Sequence, residues 1–305
     1  MTVTRHALHP EGPTLSRLVW GAWRALDGEA TRTPRALAGL VEACLELGIT
    51  SFDHADIYGG YAVESLFGEA LQAWRGERER IEIVTKCGIA LVKPARPDHR
   101  VKHYDTSGAH IRRSVDASLK ALRTDYVDLL LLHRPDPLMD AEETARALEA
   151  LVAAGKVRHL GVSNHTPAQA DLLQARLGLP LATNQIEASV LHTVPLTDGT
   201  LDHAQARRMS PMIWSPLGGG RLFTGEDPQA LRLRAALEAV AARLGADGIG
   251  PVALAWLLRH PSGPVPVVGS SQPARLKALA AAERLPMDRQ TWFEILEAST
   301  GQPVP

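Results

Sequence analysis

The chain has 305 residues, of which 45% are apolar and 22% are charged, and its formal net charge is −1. This composition is typical of a globular protein and excludes a disordered chain, and a charge so close to zero supplies no basic field for nucleic acid or an anionic membrane surface. The two cysteines, Cys44 and Cys87, lack metal-ligand spacing, so we predict no metal site and no disulfide framework and expect a reducing compartment. The N-terminus contains no apolar signal-peptide segment, and no apolar run approaches the ~20 residues of a membrane helix, so we expect a cytoplasmic protein without a membrane span.

The N-terminal part of the chain predicts a β-hairpin followed by the first strand of the main fold. Two extended stretches within residues 4–19 are separated by Pro10-Glu-Gly-Pro13, which is typical of a turn. Residues 18–23 then form the first apolar strand. The following helix begins at Thr33 and Pro34, an N-cap residue and a proline suited to the first helical position, and ends before Gly48.

Strands and helices alternate along the rest of the chain. Further strands are predicted at residues 50–54, 81–86, 126–133, 159–164, 181–187, 211–215 and 264–270. Helices are predicted at residues 62–74, 107–122, 140–154, from 166 onwards, and at 200–208, 229–244, 251–260, 273–283 and 288–298. This alternation predicts an α/β fold with parallel strands and right-handed crossovers. Its length favours a (β/α)8 TIM barrel with an N-terminal β-hairpin and a C-terminal closing helix.

We interpret residues 1–305 as a single domain, because no shift in composition marks a boundary. The alternative is a doubly wound sheet, which usually has fewer strands and often carries a G-x-G-x-x-G sequence after its first strand. Here Trp23-Arg-Ala-Leu follows that strand instead. Two segments, residues 87–106 and 216–228, are long for simple barrel loops.

Four polar side chains stand at the ends of predicted strands. Asp53 and Tyr58 stand at the end of the second strand, Lys86 ends the third and His133 ends the fourth. In a parallel barrel these ends meet on one face. A nearby ammonium group makes a phenol a better proton donor, a carboxylate keeps that lysine charged, and an imidazole can hydrogen-bond a carbonyl oxygen. The four residues therefore predict a site that polarises a C=O bond and protonates the alkoxide formed by hydride attack.

Each of these residues also has a structural interpretation. Taken singly, Asp53 is also consistent with a turn or helix-cap residue. Tyr58 is consistent with an amphipathic residue at the rim, and His133 with a structural histidine. Lys86 is harder to explain structurally, because a buried lysine is costly unless it is paired. Their combination at three successive strand ends favours the catalytic interpretation.

Five segments form a series along the chain: Phe52-Asp-His-Ala-Asp-Ile-Tyr58-Gly, Val84-Thr-Lys86, Leu130-Leu-Leu-His133-Arg, Gly161-Val-Ser-Asn164 and Trp214-Ser-Pro-Leu-Gly-Gly-Gly220. From about residue 14 to 298 the chain resembles the aldo-keto reductase superfamily, most closely its bacterial oxidoreductase branch and more distantly the β subunits of voltage-gated potassium channels. The resemblance implies a TIM barrel that binds NADPH without a Rossmann fold. It further implies that Tyr58 is the general acid, that Lys86 lowers the pKa of Tyr58, that Asp53 pairs with Lys86 and that His133 orients the carbonyl.

The resemblance also implies a set of cofactor-binding residues. Ser163, Asn164 and Gln185 match the residues that hold the nicotinamide carboxamide, and Trp214 takes the place of an aromatic residue that stacks on the nicotinamide. The remaining assigned positions are Gly21, Trp23, Asp53, the pyrophosphate loop residues Ser215, Pro216, Leu217, Gly218, Gly219 and Arg221, and the adenosine-phosphate residues Gly269, Ser270 and Arg275. The structural alternatives are a helix entry at Ser163-Asn164, a hinge at the glycines and a solvated charge at Arg275.

The cofactor preference follows from the last strand and helix. Ser270 and Arg275 match the positions that hold the 2′-phosphate of NADPH, whereas Gly269 stands where some branches have lysine. Ala278 and Leu279 stand where many members have Glu-Asn. We therefore predict NADPH, with NADH as the alternative.

The sequence identifies fewer residues of the substrate pocket than of the cofactor site. We assign Trp23, Tyr58 and His133 to it, with Tyr61, Ile89 and Tyr104 as further walls, and we predict a small aldehyde or ketone as substrate. The arginines and histidines of residues 93–113 are consistent with attraction of an anionic substrate or with a solvated loop, and we favour the solvated loop. Because the family is often monomeric, the resemblance implies a monomer.

Three functions follow from these residues. The first is an NADPH-dependent carbonyl reductase. The second is a nucleotide-binding regulatory subunit with little turnover, which would bind NADPH without reducing carbonyls. The third is a barrel lyase that uses Lys86 as a Schiff-base nucleophile, which borohydride would trap on a substrate. The complete set of four polar residues favours the reductase over the regulatory subunit, and the motifs at residues 161–164 and 214–220 favour it over the lyase.

Overall fold

The computed structural model describes residues 2–94 and 96–304, and a closed barrel of eight parallel strands lies at its centre. In chain order the strands are β1 (Arg5–Ala7), β2 (Thr14–Ser16), β3 (Val19–Gly21), β4 (Ser51–Asp53), β5 (Glu82–Cys87), β6 (Ile89–Ala90), β7 (His103–Tyr104), β8 (Val127–Leu132), β9 (Val157–Ser163), β10 (Leu181–Glu187), β11 (Met212–Trp214) and β12 (Val265–Val268). The barrel runs in the order β3-β4-β5-β8-β9-β10-β11-β12, and β12 pairs with β3 to close it. The predicted (β/α)8 fold is confirmed.

Helices follow the barrel strands and surround them. They are α1 (Pro34–Glu46), α2 (Val63–Trp74), α3 (Gly108–Leu122), α4 (Ala141–Ala153), α5 (Pro167–Gln174), α6 (Thr200–Ala206), α7 (Arg221–Thr224), α8 (Pro228–Leu244), α9 (Ile249–Leu258), α10 (Pro273–Ala280) and α11 (Arg289–Thr300). No single helix within the described residues is long and apolar enough to cross a membrane. The pair α8 and α9, bent by 88° at the break between them, meets this length and composition criterion only when the two helices are taken together.

Local signals in the sequence fix several helix starts. The Thr33 side chain accepts a hydrogen bond from the Ala36 backbone N–H, and Pro34 occupies the first turn of α1. Ser107 caps α3 in the same way. Thr166 and Gln169 form a reciprocal capping box at the start of α5, so both side chains satisfy backbone N–H groups that lack a helical partner.

The N-terminal hairpin closes one end of the barrel. Strands β1 and β2 pair antiparallel, with Arg5 opposite Ser16. The hairpin side chains Leu8 and Leu15 are fully buried and belong to the interior cluster of the barrel, together with Val19, Val84, Leu129, Leu131, Ala182, Met212, Val265 and Val267. The opposite end, where the strands finish, carries the polar residues described below.

The two long segments contain short elements that the sequence does not predict. Residues 87–106 include the antiparallel pair β6 and β7, in which Ile89 lies opposite Tyr104. Residues 216–228 include a 3-10 turn at Gly218–Gly220 and the helix α7. A strand of two residues is too short to show a periodic pattern, which explains why the segment looked like a loop.

Candidate active site

The two-residue period of the strands decides which polar side chains enter the barrel. Val84 of β5 and Leu131 of β8 pack inside it. Lys86 and His133 each lie two residues further along, so they point to the same side at the carboxyl ends of their strands. Asp53 points inward because its neighbour Phe52 packs in the outer core between strands and helices.

Tyr58 lies on a 3-10 turn, Tyr58–Gly60, that connects β4 to α2. Gly59 in this turn has φ of 59°, and a Cβ there would lie 2.5 Å from Leu26 Cδ1 and 2.9 Å from Val63 Cγ2. Glycine therefore meets both the backbone conformation and the space at this position. The turn brings the Tyr58 phenol over the end of the barrel.

Lys86 joins the predicted catalytic residues. Its Nζ donates to Asp53 Oδ1 at 2.8 Å, to Asp53 Oδ2 at 2.7 Å, to the His54 carbonyl oxygen at 2.8 Å and to the Tyr58 hydroxyl at 3.1 Å. The Lys86 and Asp53 side chains are only 1% and 3% exposed. Because the Tyr58 oxygen accepts from Lys86, the phenol proton is free to be donated elsewhere.

The pKa shifts of this group follow from burial and from the Asp53–Lys86 pair. Burial alone would lower the pKa of Lys86, but Asp53 and Tyr58 together raise it above its usual value, so the amine is charged at neutral pH. Burial raises the pKa of Tyr58, Lys86 lowers it and Asp53 raises it, and the net pKa of Tyr58 is raised. The lowering by Lys86 that the resemblance implies is thus one contribution, which burial outweighs.

His133 is an uncharged imidazole beside the phenol. Burial, followed by the positive charges of Lys86, Arg134 and Lys102, lowers the pKa of His133 well below its usual value. Its ring meets the Tyr58 ring edge-on, with centroids 5.9 Å apart. Within the described residues, His133 Nδ1 is buried without a hydrogen-bond partner. The side chain is therefore available to a ligand at this end of the barrel.

The three amide and hydroxyl residues also lie together. Ser163 Oγ donates to the Gln185 carbonyl oxygen at 2.9 Å, and Asn164 Nδ2 donates to Ser163 Oγ at 2.8 Å. Gln185 Nε2 donates to Asp53 Oδ1 at 2.8 Å, which connects this group to Lys86. The donors and acceptors of these side chains fit a carboxamide ligand.

Trp214 completes this group. Its Nε1 donates to Asn164 Oδ1 at 2.9 Å, which fixes the indole at the end of β11. Asn164 and Ser215, the residue after Trp214, both have positive φ, 59° and 50°, without being glycine. Such backbone strain is characteristic of functional sites. The aromatic ring beside a carboxamide-sized polar group fits a nicotinamide.

The glycine loop after β11 presents accessible backbone. Gly219 and Gly220 have φ of 63° and 104°, and nothing lies within 4 Å of a Cβ built on either. Arg24 Nη2 donates to the Gly219 carbonyl oxygen at 3.1 Å, while Arg221 pairs with Asp227 at 2.8 Å. This geometry leaves room for a phosphate against the loop backbone.

The predicted adenosine-phosphate residues lie beyond β12. The Ser270 carbonyl oxygen accepts from Trp20 Nε1 at 3.0 Å, and its Oγ accepts from the Gln272 backbone N–H at 3.2 Å. Arg275 is exposed near the start of α10. Both residues follow the carboxyl end of β12, on the same face of the barrel as Lys86.

Gly21 and Trp23 have different surroundings. A Cβ on Gly21 would lie 2.8 Å from Val267 Cγ1, so this glycine is needed for the packing of β3 against β12. Trp23 is 61% exposed, and the Arg24 guanidinium lies 5.4 Å from its ring centre. The glycine therefore allows a close approach of Val267 to the backbone, and the tryptophan side chain is exposed at the rim.

The further predicted pocket walls lie on and beside the β6–β7 pair. Ile89 is buried, Tyr104 is partly exposed and Tyr61 is half-buried. The Tyr61 hydroxyl accepts from the Leu91 backbone N–H at 2.9 Å, and the Arg96 guanidinium lies 5.1 Å from its ring centre. These contacts hold the segment after β6 against the turn that carries Tyr58.

Sequence reasoning missed three features of the site. The Gln185–Asp53 hydrogen bond joins residues 132 positions apart, and nothing in the sequence signals it. Arg134 follows His133 directly and reaches to 5.9 Å from the Trp214 ring centre, although the motif gave it no role. Behind β5, Glu64 is buried and accepts from Thr85 Oγ1 at 2.6 Å.

Comparison with known proteins agrees with this architecture. The family model of the aldo/keto reductase family matches residues 17–299. The chain is 51% identical to 6-dehydroglucose reductase of Agrobacterium fabrum over 290 residues, which cover 95% of this chain and 96% of the relative. It is also 51% identical to oxidoreductase YdhF of Escherichia coli over 303 residues, covering 99% and 100% of the two chains. Among solved structures, the thermostable aldo-keto reductase Tm1743 in complex with the inhibitor epalrestat superposes with a TM-score of 0.81 at 26% identity, covering 97% of this chain and 99% of that one.

Proposed function

This chain belongs to the aldo/keto reductase family and is an oxidoreductase of carbonyl substrates, and on that premise we propose that it reduces an aldehyde or ketone with NADPH, with Tyr58 as the general acid. The observation that carries the proposal is the buried group around Lys86. Its Nζ contacts both Asp53 oxygens and the Tyr58 hydroxyl at the open end of the barrel. A proton donor, a fixed positive charge and a neutral imidazole thus surround one small volume.

The proposed reaction uses these residues in distinct ways. NADPH, when bound, supplies the hydride to the carbonyl carbon. Tyr58 gives its hydroxyl proton to the carbonyl oxygen, and its raised pKa keeps that proton in place at neutral pH. Lys86 stabilises the phenolate that remains, Asp53 holds Lys86 charged, and the neutral His133 ring hydrogen-bonds the carbonyl oxygen.

We propose NADPH rather than NADH because of the residues beyond β12. Arg275 is exposed and Ser270 precedes α10, so a hydroxyl and a guanidinium are available to a 2′-phosphate. Ser163, Asn164, Gln185 and Trp214 would hold the nicotinamide, and the glycine loop would hold the pyrophosphate.

The Schiff-base alternative is disfavoured by the charge state of Lys86. A nucleophilic lysine needs a lowered pKa, whereas Asp53 and Tyr58 raise the pKa of Lys86 against the effect of burial. The regulatory alternative predicts cofactor binding without turnover, so a turnover measurement separates it from the reductase.

Replacing Tyr58 with phenylalanine tests the proposal. NADPH oxidation is followed with a panel of aldehydes and ketones, including hydroxylated aldehydes, since one relative is named 6-dehydroglucose reductase. We expect turnover to fall by about 100-fold or more, the size of a lost general acid. NADPH should still quench the protein fluorescence, because Trp214 is unchanged.

Tyr126→Phe is the matched control, because the Tyr126 hydroxyl is buried and has no hydrogen-bond partner among residues 2–94 and 96–304. Tyr126 lies just before β8, at the other end of that strand from His133. It should retain its turnover. A Tyr58→Phe variant that reduces carbonyls as fast as this control would refute the acid assignment.

A further inference from the structure

We propose that Arg134 and Lys102 form a subsite for an anionic group of the substrate, a carboxylate, sulfonate or phosphate, at the mouth of the site. This inference rests on the proposed function, because it concerns the part of the carbonyl substrate that lies away from the reacting carbon. It also assigns a role to the basic segment that the sequence analysis interpreted as a solvated loop.

Arg134 is the central residue of this subsite. It follows His133 at the end of β8, is half-buried, and has its guanidinium carbon 5.9 Å from the Trp214 ring centre. Among residues 2–94 and 96–304, no carboxylate pairs with it and no carbonyl accepts from it. The unused N–H donors of a half-buried guanidinium are available to an anionic ligand. Its charge also acts on both catalytic rings, because it lowers the pKa of Tyr58 and of His133.

Lys102 is the last residue of the connection between β6 and β7. It is exposed, and its positive charge contributes to the lowered pKa of His133. Thr106 N and Oγ1 both donate to Asp136 Oδ2 at 3.0 Å. These bonds tie the segment that carries Lys102 to the loop that carries Arg134, so the two cations are held on connected backbone.

The charges in the connection between β6 and β7 are mostly positive. The connection between β6 and β7 contains four basic residues and one acid, Asp98; the basic residues are Lys93, Arg96, Arg100 and Lys102. Lys93 lies over the tyrosine turn, since its Nζ is 3.3 Å from a Cβ built on Gly60. Glu187 ends β10 opposite Trp214 but makes no ion pair with Arg134 in the described structure. An anion entering here would meet more donors than competing carboxylates.

These cations are separate from the residues proposed for the cofactor phosphates. Arg221, Ser270 and Arg275 follow β11 and β12, whereas Arg134 follows β8 and Lys102 precedes β7. In the barrel order, β8 is separated from β12 by β9, β10 and β11. Arg134 and Lys102 therefore lie on a different part of the barrel rim from Ser270 and Arg275.

The test compares two aldehydes that differ in one charge, 4-carboxybenzaldehyde and its methyl ester, with NADPH as reductant. We expect the enzyme to prefer the carboxylate by about tenfold or more in kcat/KM, the size of one charge-assisted hydrogen bond. In Arg134→Gln the ratio of the two kcat/KM values should fall about tenfold, and in Lys102→Gln by a smaller factor. Because both substrates use the same acid, any effect on Tyr58 cancels in the ratio. Arg35→Gln is the control, since Arg35 is exposed on α1.

Two outcomes would overturn the subsite. One is a ratio near one in the unmodified enzyme, and the other is an Arg134→Gln variant that keeps the ratio while losing affinity for NADPH. Lys102→Gln keeps the proposal testable if Arg134→Gln does not fold, because Lys102 is exposed.

A binding measurement separates this proposal from the proposed function. Tryptophan fluorescence reports the affinity for the two alcohol products, 4-(hydroxymethyl)benzoate and its methyl ester, without any turnover. If no aldehyde or ketone of the panel is reduced, the proposed function fails, yet tighter binding of the benzoate that is lost in Arg134→Gln still supports the subsite. Equal affinity for the two alcohols contradicts it.

Discussion

Replacing Asp53 with asparagine tests whether the Lys86 ammonium depends on one buried carboxylate. Both Asp53 oxygens accept from Lys86 Nζ, at 2.8 and 2.7 Å, and the two side chains are 3% and 1% exposed. Removing one partner of a buried ion pair leaves an uncompensated charge and destabilises a protein by about 3–5 kcal/mol. We expect a loss of this size in the free energy of unfolding, measured by urea denaturation at neutral pH. Turnover should fall as well, because Lys86 loses the carboxylate that raises its pKa and holds its ammonium group beside Tyr58.

The matched control is the same substitution at an exposed pair. Lys156 Nζ lies 2.6 Å from Asp116 Oδ1, with side chains 41% and 57% exposed. Asp116→Asn should change the free energy of unfolding by roughly 0–1 kcal/mol. A double variant, Asp53→Asn with Lys86→Met, should regain part of the stability that Asp53→Asn loses, because it removes the unpaired charge. If Asp53→Asn costs no more than Asp116→Asn, the assignment of a buried, mutually dependent pair is wrong.

The pH range of this measurement follows from the pKa of Lys86. Its pKa is raised in the folded state, so the stability from this group is fully present below the unfolded value of about 10.4. That stability is lost as the pH rises through the folded value. Neutral pH therefore measures the full contribution of the pair.

Three further substitutions test other parts of the structure. Burial, followed by Lys86, lowers the pKa of His54 from 6.5 to about 3. As the pH is lowered through this range, the unfolded chain binds a proton that the folded protein does not, so the free energy of unfolding should decrease. Urea unfolding at several pH values should show a shallower fall in His54→Leu, and an unchanged slope would contradict this. Gly21→Ala should destabilise the barrel by about 1–3 kcal/mol, because the new Cβ would lie 2.8 Å from Val267 Cγ1, whereas Gly39→Ala, with nothing within 4 Å, should not. Arg275→Ala should weaken NADPH binding more than NADH binding in a fluorescence titration, and equal losses would mean that Arg275 does not contact the 2′-phosphate.

The fold was predictable because its signals are local and repeated. Strand β8 is an almost continuous apolar run, and the observed bounds of β10 agree with the predicted residues 181–187. The N-caps Thr33 and Ser107 were readable for the same reason, since each cap acts within one helical turn. The β6–β7 pair was missed because a strand of two residues is too short to show the alternation of apolar and polar side chains.

The sequence predicted that Asp53, Lys86 and His133 lie close together, but it did not predict the direction of the pKa shift of Tyr58. Asp53, Lys86 and His133 follow apolar strands, and strand alternation explains why they meet. The net pKa of Tyr58 depends on how deeply the phenol is buried, which one sequence does not give, so the sign of its shift had to come from the structure. The Gln185–Asp53 hydrogen bond could not be predicted from the sequence either, because it forms only when the barrel brings β4 and β10 together.

Closure of the barrel by β12 and β3 has a consequence for the way the chain folds. Val267 pairs with Val19 and Val268 with Trp20, so one edge of the first barrel strand has no partner until almost the whole chain has been synthesised. Pairings between such distant segments form slowly, because the entropy of closing a long loop is lost before the paired strands make stabilising contacts. During translation, β3 therefore exposes an open strand edge that other chains are able to pair with. Aggregation of the nascent chain and completion of the ring compete for this same edge.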